Sequence, residues 1–436
     1  MQDDEASPSS TNDFADGGSA PLAGHKPRCA PGGRGRRRRL VLVHGPWQLL
    51  MATSALLQAS GSGESFDSTL MFFALHDGPL PAPLLEVMKR IAAAVWPWKE
   101  IVVADGVDRW QLADSRACID KVRELVPNGS PDEIWLDCLW GSPQKLAAEA
   151  FPAAKLVLYE DGLQTYLPHE GHHADFVRLL QDPVGFYRAV KLRAREWRNS
   201  ADLSLATMLP RHIGRVSASY LWISLMVRPP IHQKNLRWTQ IETSNVKETI
   251  ARATTAVDDV GLPRGGRRAL VLGQCFSNYG DLPWDAELAS YVGMARGLQD
   301  LGYEVVWKEH PRARTSFFLE LSEAAPGVRS APDWGPWPAE LLVERLGLSA
   351  CAAITSTSLF SMPLLFGLES FSSAGSVASL LRFPNDGLAR LVSNHVKPLD
   401  RTTVAAGPAV AQTERSVSSR ASRREAPRTP EGRLIS

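Results

Sequence analysis

One feature constrains the fold more than any other. Short apolar runs of strand length recur along the chain, each followed by a polar or glycine-containing turn and then by a helical stretch. Leu40-Val-Leu-Val43 is the first such run, with the turn His44-Gly-Pro-Trp47 and a helical segment from Gln48 to Ala59. Leu70 to Leu75 and Glu100 to Ala104 read as strands on either side of a helix at Leu84 to Val95. Ile134 to Leu136 and Lys155 to Tyr159 read the same way around a helix at Pro143 to Ala150. After residue 265 the alternation resumes: strands at Arg268–Leu272, Tyr303–Trp307 and Ala350–Ile354, with helices at Asp285–Gln299, Ser316–Ala324 and Trp337–Leu346. Continuous apolar runs of this length, separated by helices, belong to parallel strands buried on both faces. The pattern therefore predicts an α/β chain with two Rossmann-like domains facing a cleft, and a ligand at the carboxyl ends of the strands.

The expected boundaries follow from where the alternation stops. Residues 1–38 and 401–436 are rich in Ser, Arg, Pro and Gly, too polar to offset chain entropy by burial, and are predicted to be disordered tails. Residues 39–240 form the predicted N-terminal domain, including a basic helical segment from Arg178 to Arg198, and residues 241–400 the C-terminal one.

Bulk properties exclude several classes. A net charge of +1 over 436 residues leaves no global polycation, so no nucleic-acid partner is expected. The five cysteines, Cys29, Cys118, Cys138, Cys275 and Cys351, are scattered without CxxC spacing. That argues against a disulfide framework or a zinc site and fits a reducing, cytoplasmic compartment. His169, His172 and His173 cluster, but no second ligand group accompanies them. The start MQDDEASPSS lacks the pattern of a secretory leader, and no apolar run is long enough to span a bilayer. Tyr220 to Val227 is the longest apolar candidate and reads as a buried helix. Its basic flanks, Arg211, Arg215, Arg228, Lys234 and Arg237, also allow peripheral contact with a membrane surface. Neither a Walker A pattern nor GxGxxG occurs, which removes support for ATP hydrolysis and nicotinamide binding.

The chemistry concentrates at the predicted strand ends. Glu160-Asp161-Gly162 follows Lys155–Tyr159, so that one carboxylate can face the cleft as a general base while the other braces the loop. Lys308-Glu-His310-Pro311-Arg312 brings three cations to the end of Tyr303–Trp307, an arrangement suited to a phosphate or carboxylate. Thr355-Ser-Thr-Ser358 offers hydroxyls and backbone N–H groups ahead of a helix, with Pro363 predicted to delay or kink it. Gly273-Gln274 and His44-Gly-Pro-Trp-Gln48 are polar turns at the same edge.

In this order and separation, Glu160-Asp161-Gly162, His310-Pro311 and the Thr355–Ser358 run resemble the signature motifs of bacterial polysialyltransferases and lipooligosaccharide sialyltransferases. His44-Gly-Pro-Trp-Gln48, Trp135-Leu-Asp-Cys-Leu-Trp-Gly141 and Lys308-Glu-His310-Pro311-Arg312 fit the same pattern, and the resemblance extends over about residues 40–370. It implies a GT-B fold and an inverting, metal-independent, cofactor-free transfer of sialic acid or a related nonulosonic acid from a CMP-sugar donor to a glycan or glycolipid hydroxyl. Capsule or lipooligosaccharide synthesis at the inner membrane surface is the implied setting. By the same resemblance Glu160 is the preferred base, with Asp161 as the alternative. His310 and Lys308, beside Pro311, would bind the CMP phosphate, with Ser356, Thr357 and Ser358 holding it from the helix side and Glu340 on the ribose hydroxyls. Gly273, Gln274, Gln48 and Gly162 complete the expected donor and loop contacts. A GT-B transferase with another nucleotide-sugar donor and a non-catalytic glycan-binding protein are the other readings.

Overall fold

The computed structural model describes residues 36–61, 66–74, 79–104, 115–126, 129–138, 142–166, 214–225, 238–258, 266–313, 315–330, 332–381 and 385–399. The expectations for residues 1–35 and 401–436, for His169, His172 and His173, for Arg178 to Arg198 and for Arg211, Arg228, Lys234 and Arg237 lie outside these residues, whereas Arg37 and Arg38, expected in the N-terminal tail, begin a strand paired with Phe66 and Asp67.

The first sheet contains β1 (Arg37–Val43), β2 (Phe66–Phe72), β3 (Glu100–Val103), β4 (Glu133–Leu136), β5 (Lys155–Tyr159), β6 (Val216–Leu221) and β7 (Trp238–Gln240), in the order β3-β2-β1-β4-β5-β6-β7. The second contains β8 (Arg268–Leu272), β9 (Glu304–Lys308), β10 (Arg329–Ser330), β11 (Leu348–Ala353), β12 (Glu369–Ser372) and β13 (Lys397–Pro398), in the order β10-β9-β8-β11-β12-β13. Every pairing in both sheets is parallel. Leu40 to Val43 and Ala269 to Val271 are fully buried, as central parallel strands covered on both faces must be. Each sheet begins with the same arrangement, in which its third, second, first, fourth and fifth strands lie side by side. This is the doubly wound order of a Rossmann-like domain. Two such sheets make the GT-B architecture. The order reverses between β1 and β4 in one sheet and between β8 and β11 in the other, so the crevices open there.

Helices α1 (Pro46–Ser60), α2 (Ala82–Val95), α3 (Ser115–Leu125) and α4 (Ser142–Ala150) accompany the first sheet, and α6 (Trp284–Asp300), α7 (Phe318–Ala324) and α8 (Ser358–Phe366) the second. Helix α5 (Thr243–Thr254) lies between them in sequence but packs on α1. Its buried face is Val246, Thr249, Ile250 and Ala253; Ser54 Oγ donates to Thr249 Oγ1 at 3.0 Å. Gln58 Oε1 accepts from Glu242 N at 3.1 Å and Asn245 Nδ2 at 2.6 Å at its start. A boundary at 240 therefore cuts α5 from the side it packs on.

Three local expectations are corrected. Tyr220 and Leu221 end strand β6, and Ile223–Leu225 is a 3-10 turn, so Tyr220 to Val227 is no continuous helix. Pairing of Ser219 and Tyr220 with Leu158 and Tyr159 of β5 draws this segment into the sheet. Trp337 to Leu346 breaks into a 3-10 turn, Ala339–Leu342, and one helical turn, Val343–Leu346, because Pro338 sets an extended entry. Pro363 does not delay α8: the helix starts at Ser358 and runs through it, and the Pro363 carbonyl accepts the capping N–H of Gly367 at 2.9 Å. Among the described residues no helix is long and apolar enough to cross a membrane.

Candidate active site

A cavity of about 350 Å³ opens at both switch points together. The first sheet contributes His44, Gly45, Pro46, Trp47 and Gln48 after β1, and Asp161 and Leu163 after β5. The second contributes Gly273 and Gln274 after β8, Lys308 to Arg312 at the end of β9, Glu340, and Thr355 to Ser358 after β11. Every expected donor and loop residue reaches the cavity except Gly162. Of the two adjacent acids, only Asp161 does.

Glu160 is the preferred base on sequence grounds, yet its carboxylate turns into the protein. It is fully buried, and Oε2 accepts from Tyr166 Oη at 2.5 Å, Trp222 N at 2.7 Å and Ile223 N at 2.9 Å. Burial drives its pKa up to about 7, against the pull of these three donors. Its job in this arrangement is to pin the start of the segment after β6 beneath the loop. Successive residues at a strand end point to opposite sides, so Asp161 takes the cavity side.

Asp161 Oδ1 accepts from Gln48 Nε2 at 2.7 Å and lies 3.3 Å from His44 Nε2. Oδ2 has no hydrogen-bond partner among the described residues. Burial, then the charge of Asp137, raises the Asp161 pKa, while His44 and Gln48 hold it back. A carboxylate with raised proton affinity and one open oxygen is suited to receive a proton.

His44 and Asp137, to which the sequence reading gave no role, complete this edge. His44 follows β1 and Asp137 follows β4, the two strands at the switch point. Asp137 Oδ2 lies 2.8 Å from His44 Nε2, and Gln144 Nε2 donates to Asp137 Oδ1 at 2.7 Å. Burial would lower the imidazole, but Asp137 and then Asp161 outweigh it and push His44 up to about 9. Arg312 opposes that charge: its Nη2 lies 3.1 Å from His44 Nδ1, and a guanidinium can only donate. The contact is therefore a hydrogen bond only in the neutral imidazole with its proton on Nε2, and in the cation that Asp137 and Asp161 favour it is a repulsion. The same fact bears on metal binding. One ligand atom each from His44, Asp137 and Asp161 lie within 4.8 Å of one another, close enough to share a cation. With Nδ1 accepting from Arg312, the proton of a neutral imidazole sits on Nε2, the nitrogen that faces both carboxylates. His44 Nε2 and Asp137 Oδ2 are buried without a well-formed hydrogen bond, so charge holds this trio together, and a proton on Nε2 is what a metal would have to displace. The sequence signal for both residues was their place directly after a strand.

The second edge is cationic and hydroxylic. Lys308 Nζ is buried and donates to the Gly335 carbonyl at 2.8 Å; desolvation lowers its pKa to about 8, with Glu340 and Glu309 resisting. His310 Nδ1 accepts from the Arg312 backbone N–H at 3.2 Å and lies 3.4 Å from Cys275 Sγ, which leaves its proton on Nε2. Gln274 is held from behind: its N–H donates to Tyr291 Oη at 2.7 Å, and that hydroxyl donates to buried Glu287 at 2.7 Å. Gly273 allows this turn to cross Trp307, since a Cβ there would lie 2.8 Å from the indole. Glu340 Oε1 accepts from Ser361 Oγ at 2.5 Å. At the start of α8, Ser358 N donates to Ser356 Oγ at 3.2 Å. Thr357 Oγ1 reaches across the cleft to accept from Leu163 N at 3.2 Å. Gly162 has φ +93, and a Cβ on it would sit 2.4 Å from Thr357 Oγ1. It belongs to the contact that seats one edge on the other.

A family model described as alpha-2,8-polysialyltransferase matches residues 39–374, about three quarters of the chain. No curated protein matches it. Solved structures match at low identity. The glycotransferase of kitacinnamycin is 12% identical, with a TM-score of 0.46 over 84% of this chain and 87% of its own. The UDP-N-acetylglucosamine 2-epimerase of Rickettsia bellii is 10% identical, with a TM-score of 0.45 over 84% and 91%. A 2,6-sialyltransferase of a Vibrionaceae Photobacterium species, in a ternary complex with CMP and lactose, is 11% identical, with a TM-score of 0.39 over 83% and 78%.

Proposed function

The chain belongs to the alpha-2,8-polysialyltransferase family, and from that membership we propose that this glycosyltransferase moves a sialic acid or related nonulosonic acid from a CMP-sugar to a glycan hydroxyl, with inversion and without a metal. The observation that carries the reading is the opposition of the two cavity edges: Asp161, with one carboxylate oxygen open, faces Lys308, His310 and the Ser356–Ser358 turn.

Each edge has one half of the chemistry. The acceptor oxygen bonds to the anomeric carbon as the bond from that carbon to the phosphate oxygen breaks. Asp161 takes the acceptor proton, and the electron pair of the broken bond leaves on CMP. Lys308, the Nε2–H of His310 and the donors at the start of α8 receive that charge. The leaving group is a phosphate monoester, whose charge fixed cations and N–H groups can stabilise. The transition state is oxocarbenium-like, with the base on the face opposite the departing phosphate. Glu340, whose Oε2 has no hydrogen-bond partner among the described residues, suits the ribose hydroxyls. Gly273 and Gln274 form the wall beside them.

The test is CMP release from CMP-sialic acid with sialylated and galactosyl acceptors, in the presence of a chelator. Release is expected to persist under chelation and to depend on acceptor. Full turnover in Asp161→Asn would sink the assignment of the base, and a requirement for a divalent ion would sink the metal-independent reading.

A further inference from the structure

Arg312 carries a charge that the reaction just described does not use. It lines the cavity at the end of β9, and both of its side-chain hydrogen bonds run through Nη2, to His44 Nδ1 at 3.1 Å and the His44 carbonyl at 3.3 Å. Among the described residues, Nη1 and Nε have no hydrogen-bond partner, and no carboxylate forms an ion pair with the group. Desolvation lowers its pKa, with Tyr279, Cys275 and Asp161 resisting, yet a guanidinium stays charged. A half-buried cation without an ion-pair partner is costly, and the cost is offset when an anion arrives.

Its position says which anion. Arg312 is two residues from His310, and its anchor His44 lies 3.3 Å from the Asp161 carboxylate. The guanidinium thus reaches the residue beside the proton acceptor and shares the cavity with the phosphate-binding residues, where the reacting carbon must lie. A nonulosonic acid differs from other donor sugars in bearing a carboxylate on that same carbon. We propose that Arg312 binds the donor carboxylate through the nitrogens the protein leaves unused, and that it selects donors bearing this group. His44 sets the guanidinium in place from the opposite sheet, so the selection depends on both edges being seated. This inference rests on the CMP-sugar reading above.

The test compares two ligands that differ in the carboxylate. For the full-length chain and its Arg312→Gln and Arg312→Lys variants, the inhibition constant of CMP and the kcat/KM of CMP-sialic acid are measured. A charged hydrogen-bond pair is lost in Arg312→Gln, so kcat/KM is expected to fall roughly 10- to 100-fold while the CMP constant stays within about twofold. Arg312→Lys keeps the charge without the planar fork and recovers part of the loss. Parallel losses for CMP and donor would make Arg312 a phosphate ligand and overturn the proposal, as would no change in either. If Arg312→Gln melts early, the Arg312→Lys comparison decides, since it retains the cation and the bulk. A wild-type chain that neither binds CMP nor releases it overturns the reaction reading and this inference together. A wild-type chain that does both, with variants that track CMP, overturns this inference alone.

Discussion

The two edges of the cavity are built on opposite plans. On the first, His44, Gln48, Asp137 and Asp161 arrive from the ends of three strands and the first turn of α1, and each is held by another: Gln48 and His44 on Asp161, Asp137 on His44. On the second, Lys308, His310 and Arg312 sit within one five-residue stretch, and Ser356 to Ser358 within another. A group that must accept a proton needs its own proton affinity set by surrounding charges, so its neighbours are drawn from afar. A surface that binds an anion needs donors in one place, which a strand end and a helix start supply from consecutive residues.

The sharpest way to break this comparison is at the paired acids. Asp161→Asn removes the proton acceptor with little change of shape, and loss of a general base costs roughly 10³-fold in kcat. Glu160→Gln, one residue away on the other side of the strand end, is expected to leave kcat near the native value. Steady-state CMP release from both variants decides. A reversed ranking would return the base to Glu160 and mean that the buried carboxylate is the reactive one.

Glu160 should instead show itself in stability. Folded, it holds its proton up to about pH 7, whereas an ordinary glutamate releases it near 4.5. The native state therefore binds the extra proton between these values, and stability is fully present below 4.5 and falls as pH rises toward 7. With about 1.4 kcal/mol per unit of pKa shift, the loss amounts to a few kcal/mol. In urea titrations across this range, the wild type should lose that much relative to Glu160→Gln and then run parallel to it at higher pH. Parallel curves throughout would mean that the carboxylate is not held protonated by burial.

Much of this arrangement was legible beforehand, for a physical reason. Buried parallel strands such as Leu40–Val43 and Ala269–Leu272 are apolar without interruption, so the central strands of both sheets could be read from the sequence, while β6, β7, β10, β12 and β13 could not. The second edge was legible because its donors are contiguous, in Lys308 to Arg312 and Thr355 to Ser358, and because both stretches follow predicted strands. The first edge was not. Which of Glu160 and Asp161 faces the cavity depends on the pleat of β5 and on Tyr166, Trp222 and Ile223 being in place to claim Glu160. The pairing of His44 with Asp137 depends on β1 and β4 being neighbours in the sheet though far apart in sequence. Tyr220–Leu221 was misread for the same reason. An apolar segment after a long connection takes the sheet only because β5 offers it an edge.

Lys308 tests the second edge on its own terms. Its pKa of about 8 means that the free chain loses this cation as pH rises past 8. Since kcat/KM reports the free enzyme, the donor profile should fall on that alkaline limb. Lys308→Arg, which stays charged, should move the limb to higher pH. Lys308→Met should cost about 10-fold at neutral pH, the low end for a charged hydrogen bond. An unmoved limb in Lys308→Arg would assign it to another group and leave Lys308 a structural cation held by the Gly335 carbonyl.

The smallest effect belongs to the point where the edges meet. Gly162 has φ +93, and a Cβ would lie 2.4 Å from Thr357 Oγ1, the atom that accepts from Leu163 N across the cleft. Gly162→Ala carries two separable costs, a backbone conformation unfavourable for an L-residue, about 1–2 kcal/mol, and the collision with Thr357. Thr357→Ala removes the collision but also the cross-cleft acceptor. The double variant should therefore be less destabilised than the sum of the singles, because in it the collision is absent and only the backbone term and the lost hydrogen bond remain. Thermal melts of the four proteins read this directly. Additive losses would mean that Gly162 and Thr357 do not touch in solution, and that the acidic and cationic edges are seated on one another by other contacts.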